Sequence, residues 1–375
     1  MNLLLNTYRR PGSIGLLDAG QWDLLVRQAR HANLLGRLFL RLQAAGVEDR
    51  IPERPHNHLL SGAVMAGEQR HAIRREARYL QEALEPAGIP VILLKGAAYV
   101  AAELPAAQGR LFSDVDILLP RARLADAESA LQLKGWVSTA TDAYDQRYYR
   151  QWMHELPAMR HVFRGSALDV HHTILPPTSR LKPDASLLMD ASVELGKDLP
   201  GIRTLSLPDL ILHSACHLFH EGEPNNLLRD LTDLDLLLRH LARDDAAWDE
   251  LLERAGLLQL DAPLRLALRY CHSLLETPLP SHVQTRTGCL LGGDWVQRLR
   301  DAMYARVLRP QHPSTADALT PLARRALYIR AHWLRMPPQL LAYHLAHKAI
   351  FPARQDTHPL STEKIELATG EKKAA

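Results

Sequence analysis

Residues 91–120, VILLKGAAYVAAELPAAQGRLFSDVDILLP, decide how the chain is read. Val91, Ile92, Leu93 and Leu94 form a short apolar run, with Gly88 and Pro90 before it as turn signals, which predicts a buried strand. Lys95-Gly96 ends that run, and good helix formers follow to about Leu104. From Ser113 to Leu119 polar and apolar residues alternate instead. On a strand, residues i and i+2 share a face, so Asp114 and Asp116 project together while Val115 and Ile117 enter the core. Two carboxylates held that close repel one another unless a cation stands between them. A divalent metal ion with oxygen ligands is the usual answer.

Asp-x-Asp alone is weak evidence, because a chain of this length contains about one by chance. Asp233-Leu234-Asp235 serves as an internal control. Around it Leu227, Leu231, Leu234, Leu238 and Leu241 recur with the period of a helix, which would send the two acids in different directions. That pair is therefore set aside as a metal site. Further along, RHVFRGSALDVHHTI reads as a hairpin turning near Gly165-Ser166. Asp169 lies between Leu168 and Val170 on its second strand, so it points away from both, together with His171.

Taken in order, a strand ending in a glycine turn, a short helix and then SDVDILL resembles the nucleotidyltransferase superfamily of the DNA polymerase beta type. The LLKG…GR-x-x-SDVD version is most similar to a bacterial group called the uncharacterised nucleotidyltransferase family, over roughly residues 92–173. The resemblance implies magnesium-dependent transfer of a nucleoside monophosphate from an NTP, with ATP the first candidate, to an acceptor hydroxyl, with pyrophosphate leaving. Such displacements commonly use two metal ions. The resemblance gives them to Asp114, Asp116 and Asp169, the last on the family's apolar-Asp-apolar pattern. Where the superfamily usually has Gly-Ser, this chain has Lys95-Gly96. Gly96 still allows close backbone approach to phosphates, the following helix offers its positive end, and Lys95 supplies a point charge. A lysine that simply caps a strand is the bland alternative. Arg110 and Ser113 match the group's pattern as phosphate or carboxylate partners, in contact or orienting roles. His171, facing with Asp169, joins them as a nucleotide-side residue.

Composition narrows the classes. With 45 basic against 42 acidic residues the net charge is +3, too balanced to suggest a dedicated nucleic-acid binder. The acceptor is thus expected to be a small molecule or a protein. Three cysteines without CxxC spacing argue against a zinc ribbon or a disulfide framework. The apolar run near the N-terminus is too short for a signal peptide, and no window suits a membrane span, so a cytoplasmic protein is expected.

The expected fold is α+β: a small mixed-sheet core over residues 87–205, helical regions over 1–86 and 206–351, and a disordered tail over 352–375. The N-terminal region should hold a helix from Gln21 to Ala45, with Asp18 as N-cap and Gly46 as stop, and a second from about His58 to Leu84. The aromatic and basic stretch Tyr144 to Trp152 reads as a connection packed on the core, with stacking on a base as the other reading. His213, His217 and His220 fall at i, i+4 and i+7 on one helix. Packing or cleft lining is their main reading, and a zinc site the sharper one. A catalytically degenerate member that only binds nucleotide or a protein partner remains the functional alternative.

Overall fold

In the computed structural model, strand β1 (Val91–Leu94) lies antiparallel to β2 (Asp114–Leu118), with Leu94 opposite Asp116. The structure describes residues 2–341, apart from 141, 197, 221–225 and 243. Five further strands complete one sheet: β3 (Trp136–Ser138), β4 (Met159–His161), β5 (Ala167–His171), β6 (Val193–Glu194) and β7 (Ile202–Thr204). Their order is β3-β4-β5-β2-β1-β7-β6. The sheet is mixed. Strands β2 and β5 run parallel, as do β1 and β7, and the remaining neighbours are antiparallel. Helical regions flank it in sequence on both sides, so the expected α+β class holds. The hairpin of β4 and β5 is present as expected, whereas β6 and β7 were not expected.

The long helix Glu53–Leu84 buries Ile73, Ala77, Leu80 and Leu84 in the same apolar cluster as Leu93, Ile117 and Val170 of the sheet. That cluster continues into Leu231, Leu234 and Leu238 of the helix Leu227–Leu241, and residues 1–337 form one compact unit. Residues 338–341 are helical; the tail expected from residue 352, and the helix expected over 342–351, lie outside the described residues. Cys216, Cys271 and Cys289 are buried. No helix among the described residues is long and apolar enough to cross a membrane.

Two local expectations need correction. The single helix predicted from Gln21 to Ala45 is two helices, Ala19–His31 and Leu35–Ala44. Asn33 breaks it by adopting a left-handed backbone (φ 54°), which asparagine tolerates better than most residues, and its amide donates to Asn226 Oδ1 at 2.6 Å. Asp18 does cap the first helix in a capping box with Gln21. The stretch read as a connection is a helix, Ala143–Trp152, with none of its residues fully buried. Its rings pack largely on each other, as in the Tyr148–Trp152 edge contact, so little apolar periodicity toward the core was there to be read.

Candidate active site

Register brings the acids together. Asp116 pairs with Asp169 across the parallel β2–β5 ladder, so both project from one face, and Asp114 stands two residues along on the same side. One carboxylate oxygen from each of the three lies within 4.8 Å of the others. Three hard oxygen donors at that spacing could hold a divalent metal ion.

Asp116 is the most deeply held of the three, at 3% exposure. Lys95 Nζ lies 2.9 Å and His171 Nε2 3.0 Å from its Oδ1. Burial alone would raise this carboxyl. Lys95 and His171 outweigh burial and hold it well below the ordinary carboxylate range. Asp169 goes the other way: burial first, then the charges of Asp116 and Glu155, push it up to about 8. The charge crowding at Asp169 is of the kind that a bound cation would relieve. Ser113 Oγ donates to Asp114 Oδ1 at 2.8 Å and so orients the third acid.

Lys95 closes β1 in a left-handed backbone (φ 45°), which costs a side-chain-bearing residue about 1–2 kcal/mol. Strain of this kind persists where surrounding structure enforces it, commonly at functional sites. Gly96 follows, and a Cβ there would come within 2.7 Å of Arg110 Nη1 and 2.8 Å of the Phe112 ring. Its lack of a side chain therefore first admits Arg110. That arginine stacks over Phe112, its guanidinium carbon 4.9 Å from the ring centroid, and donates from Nε to Asp233 Oδ2 at 2.8 Å.

Asp233, discarded as a metal ligand, thus returns as the anchor of the cleft wall. Arg37 Nη1 meets its other oxygen at 2.6 Å, and the same guanidinium donates to Thr232 Oγ1 and to the carbonyls of Ala106 and Gln108. Arg37 therefore ties the loop before SDVD to two helices. Gly109 in that loop has φ +64°, and a Cβ on it would lie 2.4 Å from the backbone nitrogen of Arg37. Only glycine meets both demands.

Lys95, Gly96, Arg110, Ser113, Asp114 and Asp116 line one cleft of about 130 Å³. Its opposite wall comes from the helices Leu207–His220 and Leu227–Leu241 through Ser214, His217, Arg229, Asp230 and Asp233. Of the three helix histidines, His217 reaches the cleft, while His213 and His220 are buried. Among the described residues they do not form a three-ligand group. A second such group, His154, Glu155 and His171, adjoins the triad through His171. Asp169 and His171 do not line this cleft: Asp169 adjoins Asp114 and Asp116 beside it, and His171 is wholly buried against Asp116. Sequence reasoning missed Arg37, Arg229, Asp230 and Glu155. Arg229 and Asp230 carried a weak signal as charges in the first turn of a Leu-striped helix; the others carried none.

The sequence pattern of the family described as "Uncharacterised nucleotidyltransferase" matches residues 18–276. No curated protein and no solved structure matches the chain.

Proposed function

Since the chain belongs to the uncharacterised nucleotidyltransferase family, we propose that it transfers the nucleoside monophosphate of an NTP, ATP in the first instance, to an acceptor hydroxyl on a small molecule or a protein. The observation that carries this reading is the convergence of Asp114, Asp116 and Asp169 from adjacent parallel strands beside the strained Lys95 bend. These three carboxylates would hold two magnesium ions. Magnesium, when bound, polarises the α-phosphate and favours ionisation of the acceptor hydroxyl.

The rest falls to the chain itself. In the transfer, a bond forms from the acceptor oxygen to the α-phosphorus as the hydroxyl proton passes to solvent, and the bond from that phosphorus to the pyrophosphate oxygen breaks. Charge grows on the departing pyrophosphate. Lys95 and Arg110 on the near wall of the cleft, with Arg229 opposite, are the cations available to meet it. Ser113 and His171 act behind the reacting groups by fixing Asp114 and Asp116.

Incubating the protein with labelled NTPs, magnesium and candidate acceptors, while following pyrophosphate release, tests the proposal. Transfer by the native chain and its loss in Asp116→Asn is the expected result. Equal transfer by both would remove the triad from the chemistry. Nucleotide binding without turnover on any acceptor would instead favour the catalytically degenerate, nucleotide-binding member.

A further inference from the structure

Behind the triad stands a second layer, His171 and Glu155, of which the reaction as proposed uses only His171. Glu155 forms an antiparallel bridge with His171, so the two side chains emerge on one face of the sheet. His171 is two residues from Asp169 on β5, and Asp169 pairs with Asp116. Glu155 is therefore a further acid on the face that carries the triad. Its backbone setting is fixed on both sides, by His172 N–H donating to His154 O at 2.9 Å and Leu156 N–H donating to Val170 O at 2.9 Å.

The link between layers is one ring nitrogen. His171 Nε2 lies 3.0 Å from Asp116 Oδ1 and 3.4 Å from Glu155 Oε2. Both neighbours are carboxylates, which only accept when ionised, so Nε2 carries the proton and donates. The ring has no exposure, whereas the Glu155 side chain keeps 19% of its surface open. A wholly buried donor is thereby held between an inner and an outer acid.

We infer that Glu155, acting through His171, is a positioning residue that sets the orientation of Asp116 and with it the affinity of the triad for magnesium. The inference rests on the metal-binding reading of Asp114, Asp116 and Asp169. Groups that orient a ligating side chain without touching the ion typically change affinity by about 10- to 100-fold when removed. A zinc ion on His154, Glu155 and His171 is the competing use of the same atoms, since their ligand atoms lie within 4.8 Å of one another. Ligation through Nε2 would strip its proton and break the bond to Asp116. It would also put another dication beside Lys95 and the triad.

Manganese titration of the full chain, followed by electron paramagnetic resonance and calorimetry, separates these outcomes without relying on activity. Glu155→Gln should weaken manganese binding about 10- to 100-fold. Glu155→Asp should recover part of that loss, and thermal unfolding of the metal-free protein should stay close to native for both. Native-like manganese binding by Glu155→Gln, with Asp116→Asn still abolishing it, would overturn the role of Glu155 and leave the triad intact. No manganese binding by the native chain would overturn both. Bound zinc that survives Asp116→Asn and disappears in Glu155→Gln would replace the positioning role with a metal site.

Discussion

In Asp114-Val115-Asp116 two carboxylates leave the same face of a strand and meet a third; in Asp233-Leu234-Asp235 the same spacing lies on a helix and parts them. Asp233 turns to Arg37 and Arg110. Asp235 turns instead to Arg239 at 2.7 Å and Thr277 Oγ1 at 2.6 Å. A strand advances the side chain by half a turn per residue, so i and i+2 coincide, whereas a helix separates them by about 200°. The first pair shares its face with a third acid, so three carboxylates crowd around Lys95 and His171 and suit a further cation. Fixed protein partners already engage the second. The same Asp-x-Asp spacing thus meets different surroundings, one suited to a metal ion and the other bracing the wall that faces it.

Substitutions can break that contrast. The largest effect belongs to Asp116→Asn, which should lower transfer by about 10⁴-fold, about 5.5 kcal/mol at the barrier, in a chain that still folds but melts lower because Lys95 and His171 lose their carboxylate. Loss of fold rather than of turnover, read by circular dichroism, would erase the distinction between the two triplets. Asp233→Asn should do the reverse. It strands two buried guanidinium groups and should cost about 3–5 kcal/mol in urea unfolding. An unfolding midpoint equal to that of the native chain would show the brace to be dispensable.

Smaller changes sharpen the contrast. Gly109 lies on the loop that Arg37 ties between the triplets, and Gly109→Ala should cost about 2–3 kcal/mol, because a Cβ would collide with backbone rather than with a side chain that can move. Asp235→Asn should change stability by less than about 1 kcal/mol near neutral pH. Its pH dependence is the finer test. Burial leads in raising the Asp235 carboxyl, and its partners only partly offset it. The folded state therefore holds that proton more tightly than the unfolded one. Asp235 costs nothing below its unfolded pKa of about 3.9, and its penalty grows as pH rises through the folded value. Asp233 is held below its ordinary value, because Arg37 and Arg110 outweigh burial. Its contribution is present above the unfolded pKa and fades as pH falls through the folded one. Melting curves for Asp235→Asn and the native chain should accordingly converge toward acid, and a gap that widens there would contradict the assignment.

The sequence by itself determined whatever rests on local periodicity. The alternation from Ser113 to Leu119 set both acids on one face, Leu168-Asp169-Val170 pointed the third away from the core, and the leucine stripe from Leu227 to Leu241 turned Asp233 and Asp235 apart. Each needs only the geometry of one element. Tertiary structure decided the rest. Strand order brought Asp169 beside Asp116, a bridge between distant segments brought Glu155 to His171, and Arg37 reached Asp233 across nearly two hundred residues. Local spacing says which way a side chain points, but the partner it meets depends on how separate elements pack, and no short window of sequence contains both halves of that contact.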